Sequence, residues 1–147
     1  MNINHIDLLL VEDNMDDAEL TMREFKKHGM ADKLYHVIDG EQALDFIFGV
    51  GAYSGERNIL HQPKLVLLDI QMPKVTGVEV LKKMKADERT RSTPVVILTS
   101  SREDPDIKKC YDMGVNGYIV KPVHFENFAK AIKAIGFYWL LLNQPPA

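Results

Sequence analysis

Four short apolar runs constrain this chain more than anything else in it: Ile6 to Val11, Leu65 to Leu68, Val95 to Leu98 and Tyr118 to Val120. They are near-continuous rather than alternating, which is how strands look when helices cover both faces of their sheet. Each run ends on residues of a functional type. Glu12-Asp13 follows the first, Asp69 the second, Thr99 the third and Lys121 the fourth. If the strands are parallel, one end of one sheet gathers all of them.

Helical patterns fill the intervals. Asn14 can cap a helix whose first turn carries Asp16 and Asp17, where acidic groups favour the helix dipole. Ala18, Thr21, Met22 and Phe25 then fall on one stripe, which ends near Gly29. Lys33 to Val37 reads as another strand and Glu41 to Phe48 as a second helix stopped by Gly49. A third helix runs from about Gly77 to Lys85. Ser101-Arg102-Glu103-Asp104 matches a helix-start box and Pro105 suits a first turn, so a fourth helix is expected from there to Gly114. Gly117 to Val120 leads through Lys121-Pro122 into a long last helix. Five strands and five helices in alternation imply an α/β, doubly wound, flavodoxin-like three-layer fold with a five-stranded parallel sheet in the order 2-1-3-4-5. The stretch from Gly49 to Pro63 exceeds an ordinary connection and is either a functional loop or an elaboration with a short helix of its own. No linker divides the 147 residues, so one domain with a core of about residues 6 to 142 and no output domain is expected.

In such a sheet ligands bind where strand order reverses, here between the strands ending in Glu12-Asp13 and Asp69. Three crowded carboxylates repel unless a hard cation joins them, and Mg²⁺ is the natural occupant. Asp13, Asp69 and the backbone carbonyl of Gln71 can ligate it, with Glu12 reached through water. Asp69 stands alone at the central strand end and is the candidate nucleophile toward phosphorus. The metal and the Lys121 ammonium would neutralise the transferring group, and Thr99 adds a hydroxyl donor. Pro122 is a place for a cis peptide.

Rival chemistries fit less well. An aspartate-nucleophile phosphohydrolase needs a second aspartate two positions on, where this chain has Gln71. A dinucleotide module needs a glycine-rich turn after the first strand, and Glu12 to Asp16 is acidic instead. The full acidic set argues against a scaffold of the same fold used without phosphorylation, and a test of phosphate incorporation decides it. The five histidines lack ligand spacing, which makes zinc unexpected. A net charge of −3 offers no basic footprint for nucleic acid. The lone Cys110 excludes an intrachain disulfide. The strongest apolar run, Ala134 to Leu142, falls short of the roughly 20 residues of a membrane span, and no signal peptide is visible. A soluble, cytoplasmic protein is expected.

With these residues in view the chain resembles a response-regulator receiver domain of two-component signalling. The matching segments are Leu10 to Asn14, Leu67 to Pro73 with Gly77, Ile97 to Ser100 and Gly117 to Pro122. The resemblance implies a phosphoacceptor role for Asp69, metal ligation by Asp13 and Asp69 with acidic support from Glu12, and phosphate contacts from Thr99 and Lys121. It makes Tyr118 the aromatic that rotates inward when Thr99 moves toward the phosphate. It also implies a sensor histidine kinase as partner and a downstream protein that the sequence does not name, with no enzymatic activity beyond the chain's own phosphorylation and dephosphorylation. The Gly49 to Pro63 insert and the Phe137 to Leu140 ending resemble small stand-alone regulators paired with bacterial phytochrome kinases. Phe137, Tyr138, Leu140 and Leu141 lie off the core-facing stripe of the last helix, so a homodimer contact is expected there, through Phe137, Tyr138 and Leu141.

Overall fold

The structure, a computed structural model, describes residues 2 to 134. The expected dimer residues Phe137, Tyr138 and Leu141 lie outside that range.

The three most apolar segments form the middle of the sheet. Strands β1 (Leu8–Val11), β3 (Leu65–Asp69) and β4 (Val95–Thr99) are buried at every residue, while β2 (Leu34–Val37) and β5 (Gly117–Val120) are only partly covered. All pairings are parallel and the order is β2-β1-β3-β4-β5, as the alternation of elements implied. Around the sheet lie helices α1 (Met15–Lys27), α2 (Gly40–Phe48), α3 (Gly77–Ala86), α4 (Asp106–Asp112) and α5 (Phe125–Ala134). Two apolar cores result. Phe25, Phe128 and Ile132 pack against one face of the sheet, and Phe46, Leu81 and Met84 against the other.

Local chemistry sets the helix ends. Asn14 Oδ1 accepts the Asp17 N–H at 3.0 Å to begin α1, and Asp39 Oδ1 accepts the Gln42 N–H at 2.7 Å to begin α2. Thr76 and Glu79 close a reciprocal capping box on α3. Gly77 opens that helix for a steric reason. A Cβ there would collide with the Asp69 carbonyl oxygen and lie 2.6 Å from Ile70 Cα, so a side chain would push α3 off the end of β3.

The segment after α2 is an ordered elaboration. A 3-10 turn, Gly51–Tyr53, tucks Tyr53 edge-on against Phe46, and its hydroxyl lies 2.9 Å from that of Tyr35. Arg57, only 5% exposed, lays its guanidinium over the Phe46 ring at 4.3 Å. Its Nε donates to the Phe46 carbonyl at 3.0 Å, and Nη1 donates to His61 O at 2.7 Å and Asn4 Oδ1 at 2.9 Å. The short-helix alternative for this segment is therefore met in part, by one 3-10 turn held down by an arginine.

The fourth helix corrects an expectation. Ser101 to Asp104 does not start it. Ser101 O receives the Thr99 hydroxyl, Ser101 Oγ accepts the Glu103 N–H, and the helix begins only at Asp106 after Pro105. Its last residue is Asp112, with Met113 as cap and Gly114 at φ 91° just beyond, so the helix stops at Gly114 as expected. No helix among the described residues is long and apolar enough to cross a membrane.

Candidate functional site

Register alone brings the strand-end groups level. Val11 pairs with Leu68 and Asp69 with Leu98, so Glu12 and Asp69 emerge side by side with Thr99 one residue beyond on β4. Thr99 pairs with Val120, which puts Lys121 at the same rim. The Lys121-Pro122 peptide is cis.

Carboxylate oxygens of Glu12, Asp13 and Asp69 lie within 4.8 Å of one another. Glu12 and Asp69 are 0% and 1% exposed, and Asp13 is half-buried. Lys121 reaches into this group. Its Nζ donates to Glu12 Oε1 at 3.0 Å, to Asp69 Oδ2 at 3.1 Å and to Asp17 Oδ2 at 3.1 Å. Asp69 Oδ1 accepts the Gln71 N–H at 2.9 Å, and Glu12 Oε2 accepts the Asn14 N–H at 3.3 Å. His36 Nε2 lies 2.8 Å from the Glu12 carbonyl and tethers that backbone to β2.

Burial has a price in protonation. Loss of water, reinforced by the hydrogen bond and charge of Asp69, pushes the Glu12 carboxyl up to about 8, against the lowering effect of Lys121. For Lys121, burial favours the neutral amine, but Glu12, Asp69 and Asp17 together outweigh it and hold the ammonium charged above the usual lysine range. One cation thus faces three acidic groups at the sheet rim. An all-oxygen set of this kind, with Glu12 and Asp69 buried, Asp13 half-buried and positive charge in short supply, fits a hard divalent cation.

Thr99 is fully buried, and its hydroxyl is engaged by the loop that follows β4. It donates to Ser101 O at 3.0 Å and lies 3.4 Å from Asp104 Oδ2. Tyr118 is half-buried on β5, its ring edge-on to Tyr111 with centroids 6.3 Å apart. With Arg102, Asn127 and Lys130 it lines an open cleft of about 400 Å³.

The structure therefore brings together Glu12, Asp13, Asp69 and Lys121, with Thr99 and Tyr118 on the adjoining strands. Two participants were missed in the sequence. Asp17 is more than a first-turn charge, since it shares the Lys121 ammonium. It lies one helical turn beyond Asp13, a spacing that keeps it near the sheet rim and was the available signal. Asp104 accepts the Gln71 side-chain amide at 2.6 Å, a role its place in the helix-start pattern does not signal.

Comparison with known proteins agrees with this geometry. A family model described as the response regulator receiver domain matches residues 8–133. A probable methanogenesis regulatory protein, FilR2 of Methanothrix harundinacea, is 41% identical across 95% of this chain and 86% of its own length. The solved bacteriophytochrome response regulator AtBRR is 44% identical with a TM-score of 0.82, covering 93% of this chain and 96% of that one. Response regulator Rcp1 of Synechocystis is 32% identical over 95% of this chain and 92% of its own. Its Mn²⁺-bound form has been solved and matches with a TM-score of 0.70, at 31% identity over 95% of this chain and 98% of that one.

Proposed function

The chain belongs to the response-regulator receiver family, and we propose that a sensor histidine kinase transfers a phosphoryl group to its Asp69 in a phytochrome light-sensing pathway. The observation that carries this reading is the setting of Asp69. It is buried at the end of β3, bonded by the Lys121 ammonium at 3.1 Å, and clustered with Glu12 and Asp13.

An Asp69 oxygen attacks phosphorus while the P–N bond of the donor phosphohistidine breaks. The imidazole leaves with the electron pair and takes up a proton, and an acyl phosphate remains on Asp69. Lys121, already on Asp69 Oδ2, is placed to follow the charge onto the equatorial oxygens. The Gln71 N–H offers a second donor beside Asp69 Oδ1. Asp13, Asp69 and the backbone carbonyl of Gln71 would hold Mg²⁺, with Glu12 through water. The bound cation supplies neutralisation of the phosphoryl charge and lets the acidic groups coexist with a dianion. Thr99 and Tyr118 then form the switch that carries occupancy to the surface of β5.

The reading makes the chain a signalling phosphoacceptor that acts through protein contacts. Similarity to a bacteriophytochrome response regulator supports the light-sensing partner. The test is phosphotransfer from a labelled, autophosphorylated bacteriophytochrome histidine kinase. Label should pass rapidly to the native chain and not to Asp69→Asn, and transfer from unrelated histidine kinases should be slower. Equal labelling of Asp69→Asn would contradict the proposed acceptor.

A further inference from the structure

The loops that follow β3 and β4 are tied together beside Asp69 by one side chain. Asp104 Oδ1 accepts the Asp106 N–H at 2.9 Å, which fixes the carboxylate at the start of α4. Its Oδ2 accepts the Gln71 side-chain amide at 2.6 Å and lies 3.4 Å from the Thr99 hydroxyl, within donating range. That hydroxyl has a single proton, shared between Asp104 and the Ser101 carbonyl at 3.0 Å. While both acceptors hold it, it is not available to an oxygen of a group on Asp69. The Gln71 amide has two N–H donors, and Asp104 takes one of them and fixes the direction of the group.

We propose that Asp104 is a positioning residue for phosphorylation, a latch that holds the Thr99 hydroxyl and the Gln71 amide off the Asp69 site and so weakens occupancy by a phosphoryl group. The inference rests on the receiver reading. A ligand that needs a conformer in which these bonds are broken binds with an affinity reduced by the fraction of molecules in that conformer. The 2.6 Å bond from Gln71 to the carboxylate is the stronger kind and favours the closed conformer, and the 3.4 Å contact with Thr99 adds less. A carboxylate fixed near a dianion adds repulsion in the same direction.

Asp104→Asn separates the latch from the helix start. The remaining Oδ1 still accepts the Asp106 N–H, while an amide donor replaces Oδ2 and faces the Gln71 donor. The Mg²⁺-loaded chain is titrated calorimetrically with beryllofluoride as the phosphoryl mimic. Asp104→Asn should bind it about tenfold more tightly than the native chain, the scale of one hydrogen bond to a charged group. In a Thr99→Ala background most of that gain should vanish, because the hydroxyl that Asp104 helps the Ser101 carbonyl to hold is no longer there. The Gln71 side-chain amide resonances should also move toward those of a free glutamine in Asp104→Asn. Equal affinity of the native chain and Asp104→Asn, or an undiminished gain without Thr99, overturns the latch and leaves the receiver reading standing. A native chain that binds no beryllofluoride overturns the receiver reading and the latch with it.

Discussion

Glu12 shows at the residue scale what a buried acidic cluster demands. Its carboxyl is raised from 4.5 to about 8 by burial and by Asp69, so between those values the native chain without metal binds a proton that the unfolded chain has released. Stability without metal is therefore fullest below about 4.5 and falls as pH rises through about 8. Thermal midpoints measured without metal across that range should decline, and Glu12→Gln should flatten the decline. A profile unchanged by Glu12→Gln would contradict the assignment. Mg²⁺ acts in the opposite direction. At a hundredfold excess over its Kd it should add about 2.7 kcal/mol, a rise in thermal midpoint of roughly 5–10 °C for a domain of this size. Asp13→Asn should lose most of that rise while gaining stability without metal, because one repelling charge is gone. A variant that keeps the full response would contradict ligation by Asp13. Glu12, Asp13, Asp69 and Lys121 were legible in the sequence because each follows a strand whose burial is written in its own residues. Asp17 and Asp104 were not. A charged residue in a first turn or a loop looks the same whether it meets water or a partner, and the partner of Asp17 lies 104 positions away.

At the scale of elements, strands and helix caps were the legible part because their signals are local. The α4 start was misread for a physical reason. Ser101-Arg102-Glu103-Asp104 has the spacing of a capping box, but the Thr99 hydroxyl takes the Ser101 carbonyl and holds that turn to the sheet rim. The insert after α2 reads in the sequence as a functional loop or an elaboration with a short helix of its own, and what holds it down is not legible there. Its organising residue, Arg57, is recognisable only once α2, the insert and the N-terminal segment are placed around it. Arg57→Ala should remove the guanidinium donor from the Phe46 and His61 carbonyls, while Asn4 Oδ1 keeps the Asn58 N–H. Unfolding by denaturant should show a loss of about 2–4 kcal/mol, with Arg57→Lys recovering little because an ammonium lacks the planar fork. A loss below about 0.5 kcal/mol, the range of ordinary surface changes, would mean that the insert is not held by this residue.

For the whole molecule, strict alternation of strands and helices was enough to imply the parallel sheet and its order, since crossover handedness and strand burial leave few arrangements. Assembly follows from a different signal. The sequence around Phe137, Tyr138 and Leu141 carries more apolar residues than a single helical stripe would bury, and on that pattern we propose a symmetric pair. Sedimentation should find a dimer for the native chain and a monomer for a Phe137→Ala, Tyr138→Ala variant. A native chain that stays monomeric at high concentration, with and without beryllofluoride, would remove the pairing. The central claim is that the acidic rim, the lysine and a divalent cation make Asp69 a phosphoacceptor. Intact-mass measurement after incubation with acetyl phosphate and Mg²⁺ tests it most directly. The native chain should gain one phosphoryl group, stable in acid and labile in base, that disappears in Asp69→Asn and on chelation of Mg²⁺. Equal labelling of Asp69→Asn, or labelling indifferent to Mg²⁺, would contradict it.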